Sequence, residues 1–131
     1  MIGILLITHD RLGNSLLDCV RHVMGDVPPQ LKTMSVMAEH DAQLKEAECR
    51  MLIAQLDTGD GVLLLADLFG ATPSNIARRL IQPGRVEGLA GVNLPMLLRA
   101  ISYCNLPLTE ATQKALQGGR ECMVLMDIGD Q

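Results

Sequence analysis

The sequence predicts an α/β protein built on a mostly parallel sheet. Short apolar runs alternate with longer amphipathic ones along the whole chain, the mark of successive βα units. Two of the short runs, GILLIT (residues 3–8) and GVLLLA (residues 61–66), are apolar almost throughout, as strands covered on both faces must be. No internal repeat, low-complexity stretch or linker interrupts the 131 residues, so one domain over 1–131 is expected.

GILLIT reads as the first strand. The following RLGNSLLDCVRHVMG carries Leu12, Leu16, Val20 and Val23 at helical spacing, with Gly25 as its stop. After the turn-forming DVPP, LKTMSVM (residues 31–37) is a second strand with imperfect alternation. AEHDAQLKEAECRMLIAQLD is a second helix, capped by Asp41 and expected to bury Leu44, Ala47, Met51 and Ala54. TGDG breaks it, and GVLLLA then ends at Asp67. DLFGATPSNIARRLI supplies a loop, a cap at Thr72, Pro73 at the first helical position and a third helix reaching Ile81. RVEGLAGV is a fourth strand, NLPMLLRAISYC a loop and a helix from about Pro95, and LTEATQKALQ a further helix ended by Gly118 and Gly119. ECMVLM (residues 121–126) closes the chain as a last strand.

Composition narrows the function. Fifteen acidic residues against eleven basic give a net charge of -4, and no Lys/Arg cluster is available to follow a phosphate backbone. Phe69 and Tyr103 are the only aromatic residues, so there is no platform for stacked bases, and nucleic-acid binding is not expected. The chain starts without the pattern of a signal peptide and has no apolar run near the roughly 20 residues of a membrane span, which places it in the cytoplasm. Cys19, Cys49, Cys104 and Cys122 are widely spaced, form no C-x-x-C pair, and read as free thiols packed as small hydrophobes rather than as metal ligands. No cofactor motif is present.

The chemistry-bearing residues gather at strand ends. In a parallel α/β sheet the carboxyl ends of the strands face the site crevice. His9 follows the first apolar strand and Asp67 ends the other. Were those strands neighbours, imidazole and carboxylate would meet there, the carboxylate fixing one ring nitrogen as N–H and leaving the other nucleophilic. Beside Asp67, GATPSN opens a helix whose free N–H groups and dipole suit an anion, with Thr72 and Ser74 adding hydroxyls. Each feature alone has an ordinary structural reading; together they suggest phosphoryl chemistry. His22, within a helix, and His40, in a polar turn, read as surface residues.

Other chemistries find no support. The chain lacks G-x-G-x-x-G after its first strand, a P-loop and a G-x-S-x-G elbow. A receiver domain would place its phosphorylated aspartate at Asp67, but His9-Asp10 replaces the acidic pair expected after the first strand, and no Lys ends the fifth.

Taken together, ITHD, GVLLLADLFGATPSN and AGVNLPMLLRA resemble the enzyme IIA domain of the mannose family of the phosphoenolpyruvate-dependent phosphotransferase system, over nearly the whole chain. The resemblance implies a three-layer doubly wound sheet of order 2-1-3-4, with a C-terminal antiparallel edge strand exchanged in a homodimer across a hinge at Gly118-Gly119. It implies that His9 is transiently phosphorylated by phospho-HPr, that Asp67 orients it, and that Gly70, Ala71 and Thr72 line the phosphoryl pocket. The family usually has Gly-Ser where this chain has Ala71-Thr72, which matters if the first position needs a glycine conformation. The next acceptor would be a IIB-type protein, separate because no second domain follows Gln131. The low charge around His9 suggests docking by apolar contact, with Leu68 and Phe69 at the rim. Two alternatives stand beside this phosphocarrier: a regulatory phosphoprotein whose His9 controls a partner without transport, and a flavodoxin-like scaffold with His9 inert.

Overall fold

Strand β1 (Gly3–His9) is buried from Gly3 through Thr8 and emerges into solvent only at its last residue. The computed structural model describes residues 1–129; Asp130 and Gln131, the end of the expected domain, lie outside the described residues. Along the chain follow α1 (Leu12–Met24), β2 (Leu31–Val36), α2 (Ala42–Leu56), β3 (Val62–Ala66), α3 (Thr72–Arg79), β4 (Val86–Ala90), α4 (Leu94–Ser102) and α5 (Leu108–Glu121). The four strands form a parallel sheet of order β2-β1-β3-β4, the doubly wound order the sequence leads one to expect.

Period-two alternation divides β1 between two cores. Ile4 and Leu6 pack with Leu16 and Val20 of α1, Leu97 and Ala100 of α4, and Ala111 and Ala115 of α5. Leu5 and Ile7 pack with Cys49 and Leu56 of α2 and Ile76 and Ala77 of α3. Helices therefore cover both faces, giving three layers, and β1 and β3 are the strands with neighbours on both sides. Each fully buried Leu or Ile contributes about 1.5–3 kcal/mol relative to exposure, which explains why the two most apolar runs take the two central positions.

Helix boundaries depart from expectation where two apolar stripes compete. On α2 the buried face is Cys49 and Leu56 with Leu52 and Ile53 half-buried, while Leu44 and Met51 are 70% and 65% exposed and Ala47 and Ala54 are exposed with them. The stripe read from the sequence is periodic but carries two alanines; the stripe from Cys49 to Leu56 is more apolar and faces the sheet. On α1, Leu16 and Val20 are buried but Leu12 and Val23 are exposed. Asp41 caps α2 as expected, accepting the Gln43 N–H. Among the cysteines, Cys49 and Cys104 are buried and Cys19 and Cys122 exposed; burial pushes the Cys49 thiol up to about 12.

The Gly118-Gly119 pair does not end the last helix. α5 continues through it to Glu121, because the pair lets α4 approach closely: a Cβ on Gly118 would stand 2.9 Å from Arg99 Cβ, and one on Gly119 would stand 3.1 Å from Met96 Cβ. Asn93 ties the same corner, its side-chain amide donating to the Gly119 carbonyl while its oxygen caps α4 through the Met96 N–H. Beyond α5, residues 123–128 form no strand with the chain's own sheet. Met123, Val124, Leu125 and Met126 are 71–97% exposed, so the segment expected as the last strand does not pack on the chain's own sheet.

Gly118→Ala is expected to lower stability by about 1–2 kcal/mol through overpacking against Arg99, opposite in sign to the gain of about 1 kcal/mol that Gly→Ala gives in an open helix. Urea unfolding of the two proteins checks the sign.

Candidate functional site

β1 outruns β3. Their register pairs Ile7 with Ala66, the last residue of β3, so Thr8 and His9 project past that strand while still pairing with Ser35 and Val36 of β2. His9 is thus the last residue of β1 rather than the first of the loop, and sits over the exit of β3, where Asp67 begins the connection to α3. Thr8, fully buried, uses its hydroxyl to accept the Gly13 N–H in the first turn of α1. Asp10 then turns the chain with a positive φ of 47°, its N–H held by the Val36 carbonyl.

Asp67 grips His9 twice with one oxygen. Oδ2 accepts the His9 backbone N–H at 2.9 Å and lies 2.9 Å from ring Nδ1, while Oδ1 accepts the Leu68 N–H. Burial raises the Asp67 pKa, but the hydrogen bonds from the His9 backbone and ring, the His9 charge and the Leu68 N–H outweigh it and hold the carboxyl below its ordinary value. An ionised carboxylate can only accept, so the ring proton sits on Nδ1 and the lone pair on Nε2. The His9 side chain is 46% exposed and that of Asp67 11%.

The loop after Asp67 is braced from inside. Gly70 has φ +88°, a conformation open to glycine and strained for other residues. Its N–H goes to Ser74 Oγ at 2.8 Å, and that hydroxyl donates in turn to the Ala71 carbonyl. Ser74, 2% exposed, spends its hydroxyl holding the loop, and the same bond occupies the Gly70 N–H. Ala71, not Thr72, is the N-cap of α3, without a side-chain cap bond. Its φ of -91° and ψ of 172° are extended, so alanine fits there without glycine's freedom. Thr72 is the first helical residue, and Pro73 follows it.

Thr72 is the loop residue that reaches the site. It lines a cleft of about 250 Å³ with His9, Asp10, Val36, Met37, Ala38, His40 and Ala42. α2 and α3 both begin at this cleft, and the first-turn N–H groups at their starts precede the first intrahelical bond. No Lys or Arg lines it. His40, expected as a surface residue in a polar turn, is exposed, and its turn follows β2 at the same end of the sheet as His9. Leu68 and Phe69 stand 61% and 69% exposed, with Arg78 over the Phe69 ring. Among the described residues no group of three or more His, Cys, Asp and Glu is placed to hold a metal, and no helix is long and apolar enough to cross a membrane.

Because its folded pKa is depressed, Asp67 stabilises the fold above the unfolded value of about 3.9, and this contribution disappears as pH falls through the lower folded value. The stability gap between wild type and Asp67→Asn is therefore expected in full at pH 6 and reduced at pH 3, measured by urea unfolding at both.

Comparison with known proteins follows the same lines. Over 109 residues, 76% of this chain, the sequence is 31% identical to the "PTS system mannose-specific EIIAB component" of Escherichia coli K12 and equally to that of Shigella flexneri. The aligned part is 31% of those proteins, so the chain spans about a third of their length. Among solved structures, the "Mannose/sorbose specific IIA subunit of phosphotransferase system" from Enterococcus faecalis superposes with TM-score 0.87 at 23% identity, covering 99% of this chain and 98% of that one. The "phosphotransferase system component EIIA" from Streptococcus agalactiae gives 0.85 at 20% identity, covering 95% and 96%. Both share the fold. Residues 3–117 match the family described as "PTS system fructose IIA component", EIIA-man, and it is to this family that the chain belongs.

Proposed function

We propose that the chain is a phosphocarrier in which His9 accepts a phosphoryl group from phospho-HPr and passes it to a IIB-type acceptor, coupling to sugar uptake. The observation that carries this reading is the pair of hydrogen bonds that Asp67 Oδ2 accepts from the backbone and ring of His9, which leaves Nε2 unprotonated on a side chain 46% exposed. The Nε2 lone pair attacks phosphorus as the N–P bond of the donor's phosphohistidine breaks, and the donor ring keeps the electron pair. His9 retains its Nδ1 proton, so the phosphorylated ring is cationic and the Asp67 carboxylate lies against that charge. Transfer onward reverses the step. Because the group moves between like nitrogens, the protein supplies alignment and electrostatics rather than driving force.

The surroundings support release as well as capture. Helix N-termini and the Thr72 hydroxyl can receive the phosphoryl oxygens, while no fixed cation lines the cleft to hold the group against the next carrier. Leu68 and Phe69, exposed in the loop that follows Asp67, suit apolar contact with each carrier in turn. The exposed run at residues 123–126 and the open outer side of β4 support a homodimer in which this segment pairs with the partner's sheet, since an apolar strand of this kind needs covering.

With phosphoenolpyruvate, enzyme I and HPr, the protein is expected to take up acid-labile, base-stable label that His9→Ala abolishes; label surviving that change overturns the assignment. Asp67→Asn is expected to slow transfer about 100-fold, read by rapid-quench kinetics. Removing the residues after Glu121 is expected to convert a dimer to a monomer by light scattering, and an unchanged mass contradicts strand exchange.

A further inference from the structure

His40 shares the cleft with His9, and its ring is already committed in one direction. Nδ1 accepts the Met37 backbone N–H at 2.9 Å, so the proton of the neutral ring is on Nε2. The two histidines are therefore held in opposite tautomers by opposite partners: a carboxylate accepts the Nδ1–H of His9, and the Nδ1 lone pair of His40 accepts a backbone N–H. One ring leaves a nucleophilic nitrogen and the other an N–H donor.

The remaining lining makes that donor valuable. Asp10 is acidic, Val36, Met37, Ala38 and Ala42 are apolar, and Thr72 contributes one hydroxyl. The phosphoryl oxygens need donors, and beside His9 itself only Thr72 and His40 among the lining side chains carry one. The position of His40 is rigidly supplied as well: it is fixed on one side by the Met37 N–H and followed directly by Asp41, which caps α2.

We infer that His40 is a phosphoryl-binding residue of this site, its Nε2–H donating to an oxygen of the phosphoryl group carried on His9 Nε2. No bond is made or broken at His40; it stabilises the phosphorylated state. This rests on the phosphocarrier reading above.

Two isosteric changes separate binding from turn structure. Asn keeps an acceptor near the position of Nδ1, able to hold the Met37 N–H, but lacks the reach of Nε2; Gln places an amide N–H near Nε2 and gives up the fit to Met37. The measurement is the equilibrium partition of phosphoryl label between HPr and the full-length protein. His40→Asn is expected to shift that partition toward HPr about tenfold, and His40→Gln to stay within twofold of wild type, with both retaining the wild-type melting temperature. Wild-type partition in His40→Asn overturns the inference, as does loss in His40→Gln alone, which would mark a purely structural turn residue. If wild type takes no label, the phosphocarrier reading fails and carries this inference with it; if wild type is labelled on His9 and His40→Asn partitions normally, only the inference fails.

Discussion

The hydrogen bonds that His9 donates to Asp67 depend on one constraint of the backbone, the parallel pairing of β1 with β3. That pairing is forced by burial: the two strands whose residues are apolar throughout take the two positions with neighbours on both sides. Register then decides the chemistry. β1 runs past Ala66 by two residues, so His9 arrives above the end of β3 as Asp67 leaves it. A slip of one residue would turn His9 to the other face, where α1 rather than α2 and α3 covers the sheet.

What surrounds the pair is arranged by local rules serving the same end. Asp10 in a left-handed turn, Gly70 in another, and the Ser74 hydroxyl between Gly70 and Ala71 bring the starts of α1 and α3 close to the strand ends. Positive potential therefore comes from backbone dipoles rather than from lysine or arginine. This suits the proposed phosphocarrier role, since a grip equally strong before and after transfer would add affinity without adding rate.

The layers, the sheet order and the His9–Asp67 meeting were legible in the sequence because they follow from burial and from the geometry of parallel sheets. Side-chain direction on helices was less so. On α2 two stripes compete at helical spacing, and only contact with the sheet selects Cys49 and Leu56 over Leu44 and Met51. Gly118 and Gly119 read as a helix stop by propensity, yet the close approach of Arg99 and Met96 makes them a packing requirement. A hydroxyl near a helix start, such as that of Ser74, is ambiguous in sequence between bracing and binding; in the structure it braces the loop. That His40 is exposed followed from its polar turn; that it lines one cleft with His9 did not, because a turn residue carries no periodicity and His9 lies some thirty residues earlier.

The central claim is that Asp67 holds the proton on Nδ1 and so makes Nε2 the nucleophile. Nitrogen-15 NMR of His9 in the phosphorylated protein tests this most directly, by the coupling of phosphorus to one ring nitrogen and the retention of a proton on the other. The account predicts phosphorus on Nε2 with Nδ1 still protonated. Phosphorus on Nδ1 would contradict it.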